Sequence, residues 1–378
     1  MKTVLVVMGT RPEAIKLCPV VLELRKREEV RTVVLSTGQH GKLLTDAMAC
    51  FGISADETLP PPPAQTGAAA VMGHLLGTLD AALERLRPDF MIVQGDTASA
   101  FAGALAGFYR GIPIAHVEAG LRTYNLASPY PEEFNRQAVG IVARYHFAPT
   151  ELSRQNLLRE GKKPNHIFVT GNTAIDALKT TVRREYTHPE LEWAKGCRLI
   201  LLTAHRRENL GEPMRRMFRA IKRMVDEQED LRVVYPIHMN PAVRSAAAEV
   251  FGNDDRFHII EPLDVLDFHN LMAHSYLILT DSGGIQEEAP ALGKPVLVMR
   301  RETERPEAVA AGTAKLAGVE KDVIVSMASE LLENPEAYAR MAKAVNPYGD
   351  GHASARIADA ILWHFGMREE KPADFCAE

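Results

Sequence analysis

Asp96 and Glu118 each end an apolar run, Phe90-Met91-Ile92-Val93-Gln94-Gly95-Asp96 and Ile112-Pro113-Ile114-Ala115-His116-Val117-Glu118. Carboxylates that enter one crevice can divide proton removal, proton return and stabilisation of an intermediate between them. Glu132-Glu133 opens a later helix-like stretch, with Arg136 about one turn further on. Helix caps and ordinary ion pairs use the same residue types, so proximity in space decides between the two readings. Ala204-His205-Arg206-Arg207-Glu208-Asn209 places an imidazole among cations after another apolar run. Such a cluster can hold or protonate a departing phosphate oxygen, or be a polar loop. His238, after Val234-Tyr235-Pro236-Ile237, is a less specific candidate.

A second set of residues suits phosphate. Gly9-Thr10-Arg11-Pro12-Glu13-Ala14-Ile15-Lys16 lies where a strand hands over to a helix, so a glycine turn, helix amides and Arg11 could meet an anion. It matches neither the Walker pattern nor the glycine-rich dinucleotide pattern. Lys16 faces either the same crevice or solvent. Asp281-Ser282-Gly283-Gly284-Ile285-Gln286-Glu287-Glu288 repeats the theme, with backbone donors and the Ser282 hydroxyl for a diphosphate and Glu288 for ribose hydroxyls. Helix capping by Asp281 or Ser282 is the plain alternative. Arg305 is either a phosphate partner or a surface ion-pair residue, and Phe268 either stacks on a base or packs in a core.

The elements that must position these groups alternate regularly. Apolar runs at residues 2–8, 30–35, 90–94, 112–117, 145–147 and 167–169 read as buried parallel strands, separated by helix-periodic stretches such as 68–86 and 98–109. The same grammar returns at 199–203, 231–235, 257–260, 276–279, 296–299 and around 317–319. Pro60 to Pro63 interrupt it as an extended connection. The expectation is an α/β chain with an amino-terminal domain over 1–171, a second over 172–365, and a frayed tail over 366–378. A nucleotide-linked small molecule is expected in the cleft between them.

A length of 378 residues exceeds what one core usually supports. A formal net charge of -5 offers no bulk attraction to nucleic acid or anionic lipid. The apolar run at the amino terminus is five residues long, too short for a signal peptide core, and no stretch reaches the roughly 20 residues of a membrane span. Cys18, Cys50, Cys197 and Cys376 lack paired metal spacing, which gives a zinc site no support and suits reduced thiols in the cytoplasm.

Taken together, the separated motifs resemble the non-hydrolysing UDP-N-acetylglucosamine 2-epimerase family across nearly the whole chain. The resemblance rests on the 9–16 segment, Gln94-Gly95-Asp96-Thr97, His116-Val117-Glu118-Ala119-Gly120-Leu121-Arg122 and Pro131-Glu132-Glu133-Phe134-Asn135-Arg136. It continues through His205-Arg206-Arg207-Glu208-Asn209, the 281–290 segment, Glu304-Arg305-Pro306-Glu307 and Asn346-Pro347-Tyr348-Gly349-Asp350-Gly351. It implies two Rossmann-like domains in a GT-B-type arrangement, a homodimer, and interconversion of UDP-GlcNAc and UDP-ManNAc with neither redox cofactor nor metal. UDP would leave by anti elimination, giving 2-acetamidoglucal, and return by syn addition.

Carried over residue by residue, the resemblance implies Asp96, Glu118 and Glu132 as the acidic set, with Lys16 and His205 supporting the reaction. Glu118 or Asp96 would move the C2 proton and Glu132 would serve the complementary face. Arg11, Arg136, His205, Ser282, Gly283, Gly284 and Arg305 would surround the diphosphate, with Glu288 at ribose and Phe268 beside uracil. A second UDP-GlcNAc, acting as activator, would meet Gln39, His40, Gln65, Glu132, Arg206 and His238. Lys42 and Ala64 depart from the polar and Arg residues often found at two of that site's positions. A hydrolysing epimerase, a glycosyltransferase and a non-enzymatic nucleotide-sugar sensor are the competing functions.

Overall fold

The computed structural model describes residues 1–64 and 66–377. Their contacts form two units, Met1–Thr180 together with Tyr348–Cys376, and Thr181–Pro347.

The first unit is built on seven strands: β1 (Lys2–Met8), β2 (Val30–Ser36), β3 (Glu57–Thr58), β4 (Phe90–Gln94), β5 (Ile114–Val117), β6 (Tyr145–Ala148) and β7 (Ile167–Val169). All pair in parallel, in the order β3-β2-β1-β4-β5-β6-β7. Both faces are covered, which explains why the strands read as continuous apolar runs. Val4, Val6 and Met8 of β1 face the helices Arg11–Arg25 and Ala353–His364. Leu5 and Val7 point the other way, toward Ala68–Leu86 and Ala98–Tyr109, as the period of two along a strand requires.

The second unit repeats the plan with β8 (Arg198–Thr203), β9 (Leu231–Pro236), β10 (Phe257–Ile260), β11 (Leu277–Thr280), β12 (Val296–Val298) and β13 (Ala314–Leu316), ordered β10-β9-β8-β11-β12-β13 and again parallel. The helix Glu212–Glu227 buries Met214, Met217, Phe218, Ile221, Met224 and Val225 against it at spacings of three and four. Its other face carries ion pairs such as Arg223 with Glu227.

Both units therefore have the Rossmann strand order. The order reverses between β1 and β4 in the first and between β8 and β11 in the second, and ligands of such sheets bind beyond the carboxyl ends of those strands. The loops at these two points are Gly9-Thr10 and Gly95-Asp96, and Ala204-His205-Arg206 and Asp281-Ser282-Gly283.

The structure departs from the sequence reading in three places. The chain passes between units at Thr180–Thr181 and returns at Tyr348, so residues 348–365 belong with the first unit. Ile357, Ala358 and Ile361 of the last helix complete the core around Leu17, Val21 and Phe90. The tail is not frayed where it meets β7: Phe375 N–H donates to Val169 O at 2.6 Å, and Val169 N–H donates to Asp374 Oδ1 at 2.8 Å. An edge strand offers unpaired backbone groups, and the tail satisfies them. The strand expected near 317–319 lies earlier, at Ala314–Leu316, because Leu316 pairs with Val298 and the chain turns at Gly318, where φ is +68°. Pro60 to Pro63 form neither helix nor strand, and among the described residues no helix is long and apolar enough to cross a membrane.

Candidate active site

At the switch point of the first unit, Glu118 follows β5 in a left-handed conformation, φ +64°, and is almost fully buried. Lys16, one turn into the helix Arg11–Arg25, brings its Nζ to 2.5 Å from Glu118 Oε1. Gln94 Nε2 donates to Glu118 Oε2, and Asn172 Nδ2 approaches Oε1 at 3.4 Å. One cation and two amides thus hold this carboxylate in place.

Asp96 follows β4 beside this group. Burial pushes its carboxyl above the usual range, the charge of Glu118 pushes the same way, and Arg136 and Lys16 oppose them. Arg136 places Nε at 2.8 Å and Nη2 at 2.7 Å from Asp96 Oδ2, while Asn135 Nδ2 donates to the Asp96 carbonyl at 2.8 Å. Behind the turn, His116 is buried with Nε2 2.8 Å from Gly95 O, and burial lowers it to about 4, which keeps the ring neutral.

Two carboxylates that hold this site, Glu133 and Glu13, were given no role from the sequence. Glu133 is buried and accepts the N–H groups of Thr123 and Tyr124, each at 3.1 Å, Arg136 Nη1 at 3.1 Å and Gln137 Nε2 at 2.9 Å. Burial acts to raise its carboxyl, but these donors outweigh it and the net shift is downward. Glu13 is buried between Gly9 N–H, 3.1 Å from Oε2, and the Thr97 hydroxyl, 2.9 Å from Oε1, so it ties the β1 loop to the β4 loop. Gly9 has no room for a Cβ, which would run into the Ser99 and Thr37 hydroxyls. Those two hydroxyls bond each other at 2.7 Å, and Ser99 donates to Gln39 at 2.6 Å.

In the second unit, the buried carboxylate of Asp281 organises the loop after β8. It accepts His205 N–H at 3.0 Å, Arg206 N–H at 2.9 Å and Asn209 Nδ2 at 3.1 Å. The guanidinium groups of Arg206 and Arg305 both flank Gly283: a Cβ there would lie 3.7 Å from Arg206 Nη2 and 3.8 Å from Arg305 Nη2. Arg305 is anchored through Nε by Glu287, another buried carboxylate. Glu288 Oε2 lies 3.5 Å from Nε2 of buried His269. Two guanidiniums over a Ser-Gly-Gly turn make a bidentate cradle for an anion.

This geometry accompanies a family match. The model of the UDP-N-acetylglucosamine 2-epimerase family aligns with residues 22–362. The chain belongs to this family. The UDP-N-acetylglucosamine 2-epimerase of Bacillus subtilis is 55% identical over 372 residues, 98% of either chain. A crystal structure from Listeria monocytogenes is 49% identical with a TM-score of 0.94, covering 100% of both chains. The Neisseria meningitidis UDP-GlcNAc 2-epimerase, solved bound to UDP-GlcNAc, is 44% identical with a TM-score of 0.88, covering 96% of this chain and 100% of that one. The epimerase here is an enzyme of the non-hydrolysing type, with two Rossmann-like domains of the GT-B class.

Of the residues expected to act in this epimerase, Lys16, Asp96, Glu118 and Arg136 come together at the first switch point. His205, Arg206, Ser282, Gly283, Gly284, Glu288 and Arg305 come together at the second. Arg136 is engaged by Asp96 and Glu133. Glu132 opens the helix Glu132–Val142, and Phe268 lies half-buried on the helix Val265–His274. Arg11 and His40 are exposed. His238 stacks on His205, centroids 5.6 Å apart. Gln65 lies outside the described residues.

Proposed function

We propose that this epimerase interconverts UDP-GlcNAc and UDP-ManNAc by eliminating and re-adding UDP. The observation that carries this reading is the Lys16–Glu118 pair beside Asp96 at the first switch point. The C2 proton passes to the Asp96–Glu118 pair while the C1–O bond to the β-phosphate breaks, which forms the C1=C2 bond of 2-acetamidoglucal. Glu132 serves the opposite face, where a proton returns to C2 as the UDP oxygen re-forms its bond to C1. Elimination is anti and re-addition syn, so C2 inverts and C1 keeps its configuration.

The second switch point retains the leaving group. Ser282, Gly283, Gly284 and Arg305, together with Arg11, hold the diphosphate, His205 meets the departing oxygen, Glu288 binds ribose and Phe268 lies along uracil. Retention keeps the re-addition effectively intramolecular. The UDP-N-acetylglucosamine 2-epimerase of Bacillus subtilis and the Neisseria meningitidis enzyme solved bound to UDP-GlcNAc support the substrate. A homodimer is part of the reading, supported by exposed Phe108, Tyr109, Phe134 and Ile141 on two helices joined by the Phe101–Phe134 contact. So are a cytoplasmic location and activation by a second UDP-GlcNAc near Gln39, His40, Gln65, Glu132, Arg206 and His238.

Incubating the enzyme with UDP-GlcNAc and following the anomeric and phosphate resonances by NMR tests the assignment. UDP-ManNAc should appear and reach equilibrium without accumulation of free UDP. Free UDP with free N-acetylmannosamine would show hydrolysis instead, and turnover only with an added acceptor would show glycosyl transfer.

A further inference from the structure

Asp281 lies at the carboxyl end of β11 with no exposed surface. Ionised carboxylates are costly to bury, by several kcal/mol even after relaxation, unless donors surround them. Here the donors come from the loop after the neighbouring strand β8. Oδ2 receives the N–H groups of His205 and Arg206 and the side-chain amide of Asn209, while Oδ1 lies 3.1 Å from His205 N. Asn209 also donates to Met299 O at 3.2 Å, and Arg206 Nε to Asp281 O at 3.3 Å.

Backbone fixation alone does not account for the remaining contact. His205 Nδ1 stands 3.5 Å from Asp281 Oδ1, so the ring presents one nitrogen to a buried anion and leaves Nε2 to face away. A carboxylate in that position favours the tautomer with hydrogen on Nδ1 and steadies the imidazolium that forms when Nε2 takes a proton. Other groups around the ring oppose one another. Burial lowers His205, Asp281 raises it, Arg206 and the stacked His238 lower it, and Glu208 raises it. Among the neighbouring charges Asp281 has the largest influence, and it is the one held by three donor groups.

We propose that Asp281 is a positioning residue for the epimerisation: it sets the tautomer and orientation of His205 and supplies the counter-charge when that ring carries a proton. The proposal rests on the reading that His205 meets the departing phosphate oxygen. Asp281 itself touches no reacting atom. Its effect therefore travels through His205 and disappears when His205 is replaced.

The test uses the full-length enzyme and its Asp281→Asn, His205→Gln and doubly substituted variants. Asp281→Asn is expected to lower kcat by about 10–100-fold, the scale on which a carboxylate that orients a metal-bound histidine matters, carried over to a phosphate-facing ring. KM for UDP-GlcNAc should change by less than about threefold, and the alkaline limb of the kcat–pH profile, where His205 gives up the proton it presents to the departing oxygen, should move to lower pH. In the His205→Gln background the same substitution should change kcat by less than about twofold. An equal loss in both backgrounds, an unmoved alkaline limb, or an effect confined to KM would overturn the proposal. Nitrogen-15 histidine spectra of the wild-type protein, with the His205 signals assigned by their loss in His205→Gln, give a readout that needs neither activity nor folding of the Asp281 variant. Hydrogen on Nδ1 is expected, and hydrogen on Nε2 alone would defeat the idea. Failure of the wild-type enzyme to form UDP-ManNAc would defeat the functional reading and leave the tautomer measurement to decide the role of Asp281.

Discussion

Replacing Glu13 by Gln should make the first unit more stable above neutral pH. Glu13 is buried where it joins the β1 and β4 loops, and burial raises its carboxyl from 4.5 to about 7 against the pull of its hydrogen bonds. Between those two values the folded chain keeps a proton that the unfolded chain has released. Stability therefore falls as pH rises through this window, and the loss is complete a little above pH 7. At about 1.4 kcal/mol per pH unit, the window corresponds to about 3 kcal/mol. A glutamine amide in this place cannot ionise, can accept from Gly9 N–H and can donate to the Thr97 hydroxyl, so the variant should escape this loss. Hydrogen exchange of peptides covering β1 and β4 is the assay, because it reads one unit of a two-unit chain. At pH 8 the variant should exchange about a hundredfold more slowly than wild type, and at pH 5 the two should differ by less than about 1 kcal/mol. A variant less stable than wild type at pH 8, or a difference independent of pH, would show that Glu13 does not hold a proton in the folded chain near neutral pH.

Three substitutions probe other parts of the site. Gly9→Ala should lower stability by about 1–3 kcal/mol, read as a fall in thermal midpoint, because the new methyl displaces the Ser99 and Thr37 hydroxyls. Lys16→Gln removes the cation from Glu118 and should cut the epimerisation rate by a factor of about 10² or more while the folded circular dichroism is retained. Arg305→Gln takes one guanidinium from beside Gly283, and calorimetry should find UDP bound about 10–100-fold more weakly; unchanged affinity would remove Arg305 from the phosphate site.

The parallel sheets were legible because β1, β4, β8 and β11 are short apolar runs that end close to Gly, Asp or a polar loop, and the strand-to-helix punctuation at Gly9, Gly95 and Gly283 marked both switch points. Gly9-Thr10-Arg11 and Asp281-Ser282-Gly283 therefore announced where ligand chemistry belongs. The groups that support the site were harder to read. Glu13 and Glu133 lie in first helical turns, where acidic residues are ordinary favourable neighbours of the dipole, and their burial arises only when Thr97 or Arg136 arrives from elsewhere. Asp281 looks like a helix cap until the loop after β8 is laid beside it. Nor does an amphipathic pattern say which sheet a helix covers. Ile357 and Ile361 have the same periodicity whichever unit they join, and Asp374 has no local partner until the edge of β7 is in place. The left-handed backbone of Glu118 likewise leaves no mark in its neighbours' types.

In the proposed cycle C2 loses its proton to the protein and regains one on the other face while UDP is retained. Turnover of UDP-GlcNAc in deuterated water, followed by proton NMR and mass spectrometry, measures that event directly. UDP-ManNAc should carry one deuterium at C2, the same label should enter the UDP-GlcNAc pool as equilibrium is approached, and UDP should not build up. UDP-ManNAc that forms with its C2 proton undiluted would contradict this cycle.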